Sequence, residues 1–124
     1  MKNEKLNLEE LFATINNYFS PKVIAEVNDV YVKIVKVKGP DVPWHTHDGE
    51  DELFYVLEGR LTMQIKGEPD FDLNVGEMFV VPKGVEHRVF CVEECRLLLI
   101  ENKTTAHTGS VKSSITKSVD EQKY

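Results

Sequence analysis

Between Lys22 and Glu101 the chain is a succession of short runs rich in Val, Ile, Leu, Phe and Tyr, broken repeatedly by turn-forming residues. That alternation constrains the fold more than any other feature. Runs this short cannot make long helices, and regularly punctuated β-type runs point to an antiparallel sandwich or barrel. The runs are Lys22–Val27, Val30–Lys38, Leu53–Leu57, Arg60–Lys66, Met78–Val81, His87–Val92 and Arg96–Glu101. Asn28-Asp29 and Glu58-Gly59 separate neighbouring runs by two residues each, and both read as tight hairpin turns.

The flanks are different. Leu8, Leu11, Phe12, Ile15, Tyr18 and Phe19 recur at three- and four-residue steps, which predicts one amphipathic helix over about residues 8–19. Asn7 with Glu10 resembles a capping box, and Ser20-Pro21 stops the helix. Residues 102–124 are rich in Ser, Thr and Lys. Val111, Ile115 and Val119 permit a weak helix there, and a flexible or docked tail is an equal reading. The expected organisation is therefore a helix at 1–21 packed on the barrel, the barrel at 22–101, and a polar tail at 102–124.

Composition narrows the function. Fifteen Lys and Arg against 21 Asp and Glu leave a formal charge of −6, which disfavours nucleic acid and anionic membrane as partners. No apolar run reaches membrane-spanning length, and the N-terminus lacks a secretory pattern, so a cytoplasmic location is expected. Cys91 and Cys95 are expected as free thiols.

The chemistry lies in the histidines. His45 and His47 are two residues apart, so in an extended chain both imidazoles point to one face. Asp48-Gly49 allows the chain to bend and return Glu52 to that face. His87 begins another strand after Pro82-Lys83-Gly84. Three imidazoles and a carboxylate suit one divalent transition metal (Fe, Mn, Ni, Cu or Zn), with positions left open for water, oxygen or substrate. No general base other than Glu52 is visible from spacing.

These residues also carry a resemblance. The stretch Gly39-Pro-Asp-Val-Pro-Trp-His45-Thr-His47-Asp-Gly-Glu-Asp-Glu52-Leu-Phe-Tyr-Val-Leu-Glu-Gly59 resembles the first motif of the cupin superfamily at both glycines, both histidines and the glutamate. Gly76-Glu-Met-Phe-Val-Val-Pro82-Lys-Gly84-Val-Glu-His87-Arg-Val-Phe-Cys91 resembles the second at Gly76, Pro82, Gly84 and His87. It departs from it at Cys91, where the family usually carries Asn. The resemblance implies a small jelly-roll-like barrel, or double-stranded β-helix, with His45, His47, Glu52 and His87 as metal ligands. It leaves the reaction open, because one fold hosts many chemistries. Two functions follow as expectations: a metal-dependent enzyme, dioxygenase- or isomerase-like, acting on a small molecule, or a non-catalytic binder of a sugar, a small acid or the metal.

A hairpin at Glu58-Gly59 would set Val56 against Leu61, Phe54 against Met63 and Glu52 against Ile65. Phe54, Met63 and Ile65 would then line an apolar pocket near the metal. Leu53, Tyr55 and Leu57 on the opposite face need a cover: the helix, another sheet or, preferentially, a second subunit in a homodimer. Trp44 either shapes the site entrance or simply packs. Arg88 points away from the metal toward a surface ion pair. His107 lies in the tail.

Overall fold

The computed structural model describes residues 4–40 and 42–104, so the tail and His107 lie outside the described residues. One short helix, α1 (Leu8–Phe12), precedes seven strands: β1 (Lys22–Val27), β2 (Val30–Gly39), β3 (Glu52–Glu58), β4 (Leu61–Ile65), β5 (Phe71–Leu73), β6 (Met78–Val81) and β7 (His87–Asn102). All pairings are antiparallel. One sheet runs β1-β2-β7-β3-β6, and the other joins β5 and β4 to the first half of β7. The result is the antiparallel barrel that the sequence predicts, with β7 belonging to both sheets.

The expected helix is cut short. Asn7 caps it as predicted, its side chain accepting from the Glu10 N–H at 2.9 Å. The Thr14 hydroxyl then bonds the Leu11 carbonyl at 2.7 Å, and helical structure does not continue to residue 19. The apolar stripe splits because its members have different destinations. Phe12 and Ile15 pack with Ile24 and Ile34 on the outside of the barrel, and Leu57 joins them. Phe19 instead enters the barrel interior, and reaches it with a left-handed backbone, φ 56°. Its N–H bonds the Lys36 carbonyl at 2.9 Å, and Lys36 Nζ in turn bonds the Ile15 carbonyl at 2.8 Å, pinning the segment to β2.

The Asn28-Asp29 hairpin forms as predicted, with Val27 paired to Val30 and Asn28 at φ 53°. The Glu58-Gly59 hairpin does not. β3 pairs with β6 and β7, whereas β4 pairs with β5 and β7, so the chain crosses between sheets at Gly59. Gly59 sits at φ 87°, and a Cβ there would lie 2.6 Å from the Glu94 carbonyl oxygen and 3.0 Å from the Cys95 Cα. Only glycine allows that approach without strain. The two late runs are one strand, β7, whose pairing with β2 shifts register between Cys91 and Cys95.

Alternation along each strand sorts the side chains. Glu52, Phe54 and Val56 of β3, Leu61 and Met63 of β4, and Leu97 and Leu99 of β7 are buried. Tyr55 lies beside Leu98 and Met78, and Leu53 beside Ile100 and Val80, on the outer face. α1 covers only the Leu57 end of that face.

Candidate metal centre

Two loops build the centre by docking on each other. His45 and His87 form an isolated antiparallel bridge, each N–H bonding the other's carbonyl at 3.0 Å. The Gly84 N–H bonds the His47 carbonyl at 2.8 Å, and the Lys83 N–H bonds Asp51 Oδ1 at 2.8 Å. Pro82 and Gly84 thus shape a turn that ties the second histidine-bearing segment to the first. Glu52 opens β3 directly behind the loop.

All four predicted donors meet. His45, His47, Glu52 and His87 are buried, and one ligand atom from each lies within 4.8 Å of the others. His87 Nε2 is 3.4 Å and His47 Nε2 is 3.5 Å from Glu52 Oε1. The backbone settles which ring nitrogens face inward. His45 Nδ1 lies 2.8 Å from the Pro43 carbonyl and His87 Nδ1 lies 2.9 Å from the Val85 carbonyl, so each donates there and turns Nε2 to the centre. His47 Nε2 is buried without a hydrogen-bond partner among the described residues. A buried ring nitrogen without a well-made partner is costly unless something binds it.

Burial lowers His45 from 6.5 to about 4, against the partial opposition of the Pro43 carbonyl, so the ring is neutral at physiological pH. Burial alone would raise Glu52, but the His47 and His87 rings, 3.5 and 3.4 Å from Oε1, hold its carboxyl well below the usual range. A neutral His45 and an ionised Glu52 are states that suit a divalent cation. The donor set therefore fits one such ion.

A cavity of about 40 Å³ abuts the centre, enough for roughly three waters. His45, Glu52 and His87 form its polar wall; Phe19, Val35, Val42, Phe54 and Val89 are among its apolar lining. Phe54 is where the sequence predicts it, its ring 6.2 Å from that of His87 in a T-shaped contact. Met63 is fully buried and Ile65 packs against the interior core, and neither lines the cavity. They were placed there by the β3–β4 hairpin that does not form. Ile65 instead pairs with His87 through β4 and β7. Trp44 lies under Arg88, 4.7 Å from ring centre to guanidinium carbon, and Lys66 approaches the same ring at 5.6 Å. Arg88 Nε donates to Gln64 at 2.6 Å rather than to a carboxylate.

Three residues around the site escaped sequence reasoning: Phe19, Lys33 and Glu101. Lys33 and Glu101 are buried in the barrel, 3.6 Å apart, and Glu101 is the cross-strand partner of Glu52. Burial and then the charge of Glu52 push the Glu101 carboxyl well above its ordinary range, with Lys33 opposing.

An antiparallel barrel that gathers three imidazoles and a carboxylate on its inner wall defines a class of small β-barrel proteins with a possible metal site. The family pattern described as Cupin domain matches residues 31–101, more than half the chain, and the protein belongs to that family. It is similar to a cupin-2 domain-containing protein from Shewanella frigidimarina, with 43% identity, TM-score 0.75, and 78% of this chain and 93% of that one covered. Protein NMB1881 from Neisseria meningitidis is 33% identical, with TM-score 0.73 and coverage of 80% and 99%. The uncharacterized protein YdbB of Bacillus subtilis (strain 168) is 36% identical over 80 residues, 64% of this chain and 70% of that one.

Proposed function

We propose that His45, His47, Glu52 and His87 hold one divalent transition metal (Fe, Mn, Ni, Cu or Zn) and that the chain is a metal-dependent enzyme, an oxidoreductase or isomerase, acting on a small molecule. One observation carries the reading: four buried donors converge, and three of them line an apolar cavity. When bound, such an ion supplies Lewis-acid polarisation or, if redox-active, one-electron chemistry. The chain's own residues do the rest. His45 and His87 are oriented by their carbonyl partners. Phe19, Val42 and Phe54 exclude water, which strengthens every polar interaction inside. Glu52, the only carboxylate among the described residues lining the cavity, is the group that could hold a proton beside a bound ligand. The polar end of that ligand must reach the four donors, and the remainder must be small and apolar.

The cavity's small size favours a second reading, a non-catalytic binder of a small acid, a sugar or the metal. We also propose a cytoplasmic homodimer joined through the outer face around Leu53 and Tyr55.

Metal analysis of protein purified without chelators or a metal-affinity column tests the first step. Near-stoichiometric metal in the wild type, lost in His47→Ala, is expected; full occupancy in that variant would place the site elsewhere. Turnover of a panel of small substrates by the natively loaded protein then separates enzyme from binder.

A further inference from the structure

The segment that carries His45 and His47 is held by little backbone. Between Gly39 and Glu52 the described residues form no strand. The backbone there is tied to the second histidine segment by the two bonds of the His45–His87 bridge and by the Gly84–His47 bond. A bridge of one residue pair leaves its neighbours without ladder bonds, so side chains must keep the register. The outer face supplies them. One residue along from the bridge, Trp44 meets Arg88, and on the other side of Arg88 stands Gln64, its partner in the β4–β7 register. Gln64 Nε2 donates to Asp70 Oδ2 at 2.9 Å, which leaves Gln64 Oε1 to accept from Arg88 Nε at 2.6 Å. The guanidinium carbon, so fixed, lies 4.7 Å from the centre of the Trp44 ring. Lys66 Nζ, paired with Glu86 at 3.1 Å, comes within 5.6 Å of the same ring. Two cations that are themselves held therefore anchor the indole.

We propose that Arg88 and Trp44 are positioning residues: the row Gln64–Arg88–Trp44 clamps the His45 segment onto β7 and so sets where the His45 imidazole stands among the four donors. This rests on the metal reading above. Arg88 follows His87 and Trp44 precedes His45, so the clamp joins the two segments one residue away from each ring. A metal–nitrogen bond tolerates a misplacement of only about 0.2 Å, and a segment free to slide further would give up a donor. Arginine keeps its charge throughout, so the clamp needs no change of protonation.

The test uses the metal-free full chain in two measurements, with melting temperature alongside. One is amide hydrogen exchange at His45 and His87; the other is Co(II) titration, read by affinity and by the visible absorption of the bound ion. Trp44→Leu and Arg88→Met, both at half-buried positions, are each expected to melt near the wild type. Each should speed exchange selectively at these two amides and weaken Co(II) binding by about 10-fold or more, with altered bands. Trp44→Phe, which keeps a ring face for the guanidinium, should recover most of both losses. Arg88→Lys should not, since it keeps the charge but loses the Nε–H that Gln64 holds. If Trp44→Leu fails to fold, Gln64→Leu decides: it frees Arg88 without touching the His45 segment and should show the same pattern. Wild-type exchange, affinity and spectrum in Arg88→Met and Gln64→Leu would overturn the proposal. So would a loss of affinity that only follows a general loss of stability, with unchanged bands. A wild type that takes up no Co(II) would overturn the metal reading instead, and the positioning role with it, however the amides exchange.

Discussion

His45 is neutral because it is buried, and that has a consequence for stability. In the unfolded chain the ring takes a proton near 6.5, whereas in the folded, metal-free chain it does so at about 4. Between those values the unfolded state binds more protons, so His45's contribution is complete above 6.5 and is lost as pH falls toward 4. The loss is at most about 3 kcal/mol. Glu101, displaced upward, acts with the opposite sign over the part of this range above the ordinary carboxylate value. Urea unfolding of metal-free protein at pH 7 and pH 4.5 should therefore be read against His45→Asn. The wild type is expected to lose more stability than the variant, and equal losses would mean that the ring is not held neutral. Phe19 offers a second check. Phe19→Ala removes a side chain 7% exposed from the cavity wall and should cost about 3–5 kcal/mol by thermal unfolding, with a larger cavity left behind. The metal donors were legible because His45 and His47 share a face by period and Glu52 and His87 follow turn residues. Phe19 was not, because its spacing fits a helix that the backbone abandons. Nor were Lys33 and Glu101, since a single charge within an apolar strand gives no sign of pointing inward.

Two two-residue turns of similar composition behave differently, and the difference lies outside the turns. At Asn28-Asp29 the strands on either side pair with each other. At Glu58-Gly59 each flanking strand finds its partner in β7, at opposite ends of it, and the chain must change sheets. Local sequence announces a turn but not which distant strand competes for the edge, so the crossing was not readable from residues 58 and 59. The three-residue β5 was missed for a related reason: Phe71-Asp72-Leu73 is too short to stand out and exists by pairing with β4. Gly59 carries the cost of the crossing. Gly59→Ala places a Cβ against the Glu94 carbonyl in a left-handed conformation, so it should destabilise by about 2 kcal/mol or more. A melting temperature within a degree or so of wild type would mean that the two sheets do not approach so closely there.

At the scale of the whole molecule the unfinished surface is the outer face of β6, β3 and β7. Met78 and Val80 are 56% and 41% exposed beside Tyr55 and Leu53. Burying this face against a second copy would contribute several kcal/mol at about 25 cal/mol per Å², before the loss of association entropy. The wild type should sediment as a dimer at about ten micromolar, and Tyr55→Glu should shift it toward monomer. A wild type that is monomeric at that concentration would sink the dimer reading. The architecture also orders events in time. β2, β3 and β4 each pair with β7, the last strand among the described residues. Until β7 is available the chain holds only separate pieces, β1–β2, β3–β6 and β4–β5, and two-stranded pieces are marginal in water. His87 enters on the same strand as the sheet closure, so the metal donors assemble together with the fold. A nascent chain leaving the ribosome must therefore carry open strand edges through most of its synthesis, and one stopped before residue 102 has no barrel to fold into.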